Sequence, residues 1–170
     1  MINKILLVID VQEGFKNKNT QKVFDKIIKY IKANRKGYKY IVFTGYINNK
    51  KSPAYKIGYK QMFDIKETCI YKGLVDYIFD KKSQVFVKDT YSCMKAKKVV
   101  SGEIFEDWLK NNNIKEIDIC GVETMCCVLA SAFDLFDNGY KIKIMLDKCA
   151  NMNGQAVDKV LIKQMFEKGK

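Results

Sequence analysis

The sequence predicts a three-layer α/β/α protein built on a mainly parallel sheet. Three observations carry that prediction. Short apolar runs recur along the chain without the strict in–out alternation of a half-exposed strand, so the sheet they form must be covered on both faces. Between them lie segments with apolar residues at helical spacing. Strands and helices alternate from end to end, the pattern of parallel strands joined by helical crossovers. At 170 residues the chain is read as one domain, residues 1–170, long enough to bury a core.

Lys4-Ile-Leu-Leu-Val-Ile-Asp10 is the first strand and ends on a carboxylate. A polar loop follows, and Thr20 is placed to cap a helix over residues 20–34 whose inward residues are Val23, Phe24, Ile27, Ile28 and Ile31. The second strand is predicted over residues 40–44. From Gly45 to Lys72 the pattern breaks up around Gly, Asn and Pro, with Tyr46, Tyr55, Tyr59 and Phe63 interleaved; a connection this long is more often functional than idle. A short helix over 74–79 precedes a third strand over 84–88 that ends on Lys88. Ser101 is the expected cap of a helix carrying Ile104, Phe105, Trp108 and Leu109, which Asn111-Asn112-Asn113 ends. A fourth strand over 116–120 turns at Gly121 into a helix reaching Asn138-Gly139. A fifth strand over 141–146, closed by Asp147, and a last helix over 155–167 complete the chain.

Composition excludes several classes of function. No run of eighteen apolar residues exists, so neither a membrane span nor a signal peptide is expected and the protein is placed in the cytoplasm. There six cysteines are expected to be reduced thiols. The net charge of +12 is spread along the chain, without a dense basic block or a nucleic-acid-binding motif; solvated helix faces explain it better than a polyanion partner. Histidine is absent. That removes the usual general base and the commonest zinc ligand, so no metal and no cofactor is expected, and acid–base chemistry falls to carboxylate, lysine, cysteine or tyrosine.

In an open parallel sheet the site lies beyond the carboxyl ends of the strands. Asp10, Lys88 and Cys127 mark three such ends. A cysteine in Met125-Cys-Cys-Val-Leu-Ala130 can be a small buried hydrophobe or a nucleophile at a helix N-terminus, where dipole and unpaired N–H groups favour thiolate. Together the three residues can serve a single reaction, in which the carboxylate takes the thiol proton, the ammonium favours S⁻, and the helix start receives an oxyanion. Adjacent helical residues point about 100° apart, so Cys126 and Cys127 should not both face the strand ends.

The blocks Leu7-Val-Ile-Asp10-Val-Gln12-x-x-Phe15, Lys88-x-x-Tyr91-Ser92 and Gly121-Val-Glu-Thr124-x-x-Cys127-Val128 resemble the isochorismatase-like cysteine hydrolases, in order and spacing over nearly the whole chain. Ala132-x-Asp134-x-Phe136-x-x-Gly139-Tyr140 and Asp147-x-Cys149-Ala150 extend the likeness. The resemblance implies the Rossmann-like fold of that family and an Asp10–Lys88–Cys127 triad. It also implies a cis peptide between Val122 and Glu123 that aims the N–H groups of Glu123 and Cys127 at the oxyanion, and it picks Cys127 over Cys126. A small-molecule substrate is expected, with Gln12, Phe15, Tyr46 and Tyr91 as its contacts. The family further implies a homo-oligomer, a neighbour covering the pocket near residues 46–63.

The sequence also departs from the family. Nicotinamidases place a metal-binding Asp-x-His after the second strand, where this chain has Gly45-Tyr46-Ile47-Asn48. The isochorismate-cleaving branch lacks the cysteine. Cys93-Met94 replaces a small-then-aromatic pair. The expected activity is therefore metal-free hydrolysis of a small carboxamide or related C–N substrate through a thioester. The alternative is a non-catalytic member of the same fold that binds a metabolite or partner.

Overall fold

The computed structural model describes residues 2–166. Strands β1 (Lys4–Ile9), β2 (Tyr40–Tyr46), β3 (Ser83–Lys88), β4 (Lys97–Lys98), β5 (Glu116–Val122) and β6 (Lys141–Ala150) form one sheet in the order β4-β3-β2-β1-β5-β6. Every pairing is parallel except that of the short edge strand β4 with β3. Helix α1 (Gln21–Asn34) is followed by the single turns α2 (Pro53–Lys56), α3 (Ile65–Thr68) and α4 (Val75–Ile78), then by α5 (Phe105–Asn111), α6 (Leu129–Asp137) and α7 (Lys159–Phe166).

The three layers follow from β1, which is buried from Ile5 to Ile9 on both faces. Ile5, Leu7 and Ile9 pack with Phe105, Trp108 and Leu109 of α5 and Val128, Ala132 and Leu135 at the start and along α6. Leu6 and Val8 pack with Val23, Phe24, Ile27 and Ile31 of α1. This double burial explains why the strand sequences are continuous apolar runs. No helix among the described residues is long and apolar enough to cross a membrane.

Several boundaries differ from expectation, each for a local reason. Thr20 does not cap α1 with its side chain: its hydroxyl donates to the Phe15 carbonyl (2.7 Å) and accepts from the Asn17 N–H (2.9 Å), tying the preceding loop together. Ser101 does not cap α5 either, because Ile104 is held in a bridge to Lys97 and the helix starts only at Phe105. β6 continues to Ala150, since a register shift between Ile119 and Gly121 lets Cys149 and Ala150 pair with the end of β5. α7 begins at Lys159 because the Asp158 carboxylate accepts the N–H groups of Val160 (2.9 Å) and Leu161 (3.0 Å). Glu167, placed in that helix from sequence, lies outside the described residues.

Gly121 does not end the strand but lies inside it, at φ +128°. A Cβ there would stand 2.1 Å from the Ile9 carbonyl oxygen. Only glycine lets β5 run this close to the end of β1, and so bring the segment after β5 up to Asp10.

Candidate active site

Asp10 follows β1 at φ +52°, a left-handed backbone that few residues other than glycine adopt. Its N–H donates to the Thr44 carbonyl (3.1 Å), and its Oδ1 accepts from the Thr44 hydroxyl (2.8 Å). Lys88 closes β3. Its ammonium donates to Asp10 Oδ2 (2.7 Å), to the Thr90 carbonyl (3.0 Å) and to Cys127 Sγ (3.3 Å). Those three acceptors use all three of its protons. The side chains of this pair are 1% and 0% exposed, so the ion pair is dry.

Cys127 sits in a π-helical turn, Thr124–Val128, that leads into α6. The Glu123 carbonyl accepts the N–H groups of Cys126 (3.2 Å) and Val128 (3.0 Å) on either side of it. The Val122–Glu123 peptide bond is cis. The three residues marked at strand ends in the sequence are thus brought together.

The electrostatics differ from expectation. Burial first, then the charge of Asp10, push the Cys127 thiol well above the ordinary cysteine range, and Lys88 only partly opposes them. That direction favours the thiol, against the thiolate expected at a helix start. Besides burial, two features of the fold leave the thiolate with little support. The ammonium that would favour S⁻ is already neutralised by Asp10, and the α-helix proper starts two residues further on, at Leu129. Burial likewise works against the charge on Lys88, but its neighbours, Asp10 foremost, outweigh burial and raise its pKa.

The thiol opens on a cavity of about 250 Å³. Phe15, Tyr46 and Tyr91, the residues expected to contact a substrate, are among its lining, together with Glu123 and Cys127. Gln12 does not. Its side chain is fully buried; its amide N–H groups donate to the Tyr46 carbonyl (3.0 Å) and the Thr68 carbonyl (2.6 Å), and its Oε1 accepts from the Tyr46 N–H (2.7 Å). Gln12 therefore fixes Tyr46 and has no polar atom left for a ligand. Cys126, in the same π-helical turn, also lines the cavity. Only Cys127 meets Lys88.

Sequence reasoning missed Thr44, Tyr59, Gln61, Met152 and Asn153. Tyr59 and Gln61 come from the irregular segment after β2, and the interleaved tyrosines there were the available signal. Met152 and Asn153 follow β6 and carried none.

The segment after Thr44 does not suit a metal. Asn48 is spent on backbone: its amide donates to the carbonyls of Tyr59 (2.8 Å) and Gln61 (3.0 Å). Tyr46 presents a phenol rather than a carboxylate. Among the described residues no group of three His, Cys, Asp or Glu side chains is arranged to hold an ion.

The Isochorismatase domain family matches residues 4–170. Over 53 residues, 31% of the chain, the sequence is 30% identical to isochorismatase domain-containing protein 2 of Xenopus laevis, covering 26% of that protein. Over 53 residues, again 31% of the chain, it is 34% identical to the nicotinamidase of Escherichia coli (strain K12), covering 25% of it. The alignments with these two curated relatives thus span about a quarter of their lengths. In structure the chain resembles N-carbamoylsarcosine amidase from Thermoplasma acidophilum, with a TM-score of 0.78 at 18% identity, over 98% of this chain and 94% of that one. That likeness shows the shared fold. The match over nearly all of the sequence shows more: this chain belongs to the Isochorismatase domain family.

Proposed function

We propose that this protein is a cysteine-dependent hydrolase of a small carboxamide or related C–N substrate. One observation carries the proposal: a single buried ammonium touches both a carboxylate and a thiol at the floor of a substrate-sized cavity. The amidase and nicotinamidase among the similar proteins support the same reaction class.

The thiol rests protonated beside Asp10. As Sγ attacks the amide carbonyl carbon, its proton passes to Asp10 and the carbonyl electrons move to oxygen. The N–H groups of Glu123 and Cys127 are assigned to that oxyanion. Collapse expels ammonia or an amine, which takes the proton from Asp10, and leaves a thioester on Cys127. Water, with Asp10 as base, then releases the acid and restores the thiol. Lys88 stays charged throughout, offsetting the negative charge as it moves between carboxylate, sulfur and oxygen. A binding protein would gain nothing from a dry Asp–Lys pair set against a thiol, since burying such a pair costs desolvation energy.

The test is ammonia release from a panel of small carboxamides, ureides and carbamoyl compounds, with and without chelator. Turnover of at least one compound, unchanged by EDTA, is expected. No turnover across the panel would remove the hydrolase reading. Loss with EDTA, restored by one divalent ion, would remove the metal-free one.

A homo-oligomer is also proposed. Ile57 and Ile65, beside the cavity-lining Tyr59 and Gln61, are 84% and 79% exposed and offer a second copy apolar surface. Light scattering at micromolar concentration should give a multiple of 19.7 kDa; a monodisperse monomer would refute this.

A further inference from the structure

The chain carries 31 lysines and arginines and a net charge of +12, yet among the described residues no lysine or arginine lines the cavity. Lys88 lies beneath it with every proton spent. Among the described residues the one carboxylate in the lining is Glu123. Its Oε1 accepts the Met152 N–H (2.8 Å), and among the described residues no lysine or arginine pairs with it. Burial raises its pKa, the signature of a carboxylate left in a partly dry wall without a counter-charge. Phe15, Tyr46, Tyr59 and Tyr91 line the same cavity, and of these rings Tyr46 already has the Lys88 ammonium 5.3 Å from its centroid.

A carboxylate in the wall of an aromatic-lined cavity is a setting for a cation, which the carboxylate attracts through its field and an aromatic ring through its face. It is hostile to an anion, which would meet a like charge where water screens it poorly. We propose that Glu123 is the specificity-determining residue of this cavity and selects amides whose far end is an ammonium over those whose far end is a carboxylate. The proposal rests on the hydrolase reading for the site and adds the charge of the substrate.

The competing explanation is structural, that Glu123 only holds Met152. Glu123→Gln separates the two, because glutamine keeps an oxygen for the Met152 N–H and loses the charge. The probes are γ-aminobutyramide, valeramide and succinamate, which share an amide on a short alkyl chain and end in a cation, a methyl group and an anion. In the wild type, kcat/KM for γ-aminobutyramide should exceed that for succinamate by about tenfold or more, carried mainly by KM. Glu123→Gln should shrink that ratio severalfold. A ratio at or below one in the wild type, or the same ratio in Glu123→Gln, would overturn the proposal.

Calorimetric binding of the same probes to Cys127→Ala distinguishes this failure from that of the hydrolase reading. If the wild type hydrolyses no amide but Cys127→Ala binds γ-aminobutyramide more tightly than succinamate, charge selection stands and hydrolysis falls. Equal binding, tighter binding of succinamate, or no binding of either overturns charge selection.

Discussion

Asp10→Asn is expected to move two properties of Cys127 in opposite directions. Turnover should fall by about a thousandfold or more, because an amide cannot take the thiol proton during attack and a nucleophile without its base is lost almost as completely as by deletion. Alkylation of Cys127 should become faster. In the wild type, burial and then the Asp10 charge hold the thiol protonated, while the Lys88 ammonium pulls the other way. Removing the carboxylate charge leaves Lys88, 3.3 Å from Sγ, largely uncompensated and lowers the thiol pKa. The sign for pH follows from the same shift. A raised pKa leaves little thiolate at neutral pH, so wild-type labelling should climb as the medium becomes alkaline, and in Asp10→Asn that climb should begin at lower pH. The measurement is peptide mapping after limiting iodoacetamide across a pH series, beside ammonia release, with near-UV circular dichroism to confirm the fold. Cys127→Ala should lose both the labelled peptide and turnover. Slower labelling of Cys127 in Asp10→Asn, or undiminished turnover, would refute the assigned roles.

That prediction reverses the expectation drawn from sequence, and the reversal shows which kind of information a sequence holds. Asp10, Lys88 and Cys127 were legible because each follows an apolar run, and parallel strands deliver all their carboxyl ends to one edge. Their distances to one another could be anticipated; their desolvation could not. A helix start and a lysine read as thiolate-forming until the structure shows the lysine shared with Asp10 in a dry site. Gln12 was misplaced by the same logic that placed Asp10. It stands beyond the same strand, but its amide matches the N–H and carbonyl of Tyr46 and is consumed there. Tyr59, Gln61, Met152 and Asn153 reach the cavity along turns whose course depends on tertiary hydrogen bonds, such as those of Asn48 to Tyr59 and Gln61. No local periodicity encodes such a path. The layers were the easier part, because burial on both faces leaves continuous apolar runs whatever the loops do.

Lys88→Met should destabilise the protein more than its loss of one hydrogen-bonding group suggests. Methionine fills much of the same volume but leaves Asp10, fully buried, without a cation, its hydroxyl donor Thr44 being neutral. Removing one partner of a buried ion pair typically costs about 3–5 kcal/mol, since the other charge is stranded. For a chain of this size that corresponds to a fall in Tm of roughly 10 °C. The double variant Asp10→Asn/Lys88→Met removes both charges and should recover a large part of the loss, although it is catalytically dead. pH sets where the effect is visible. The folded-state pKa of Lys88 is raised by Asp10 and Cys127, so the stability it contributes is complete below the unfolded lysine value of about 10.4 and is lost as pH rises through the folded value. The penalty should thus be full at neutral pH and shrink only in strong alkali. Urea denaturation of the wild type, both single variants and the double variant at neutral pH closes the cycle. A Lys88→Met protein within about 1 kcal/mol of the wild type would show that the pair is not the dry, mutually dependent unit described above. A double variant no more stable than Lys88→Met would show the same.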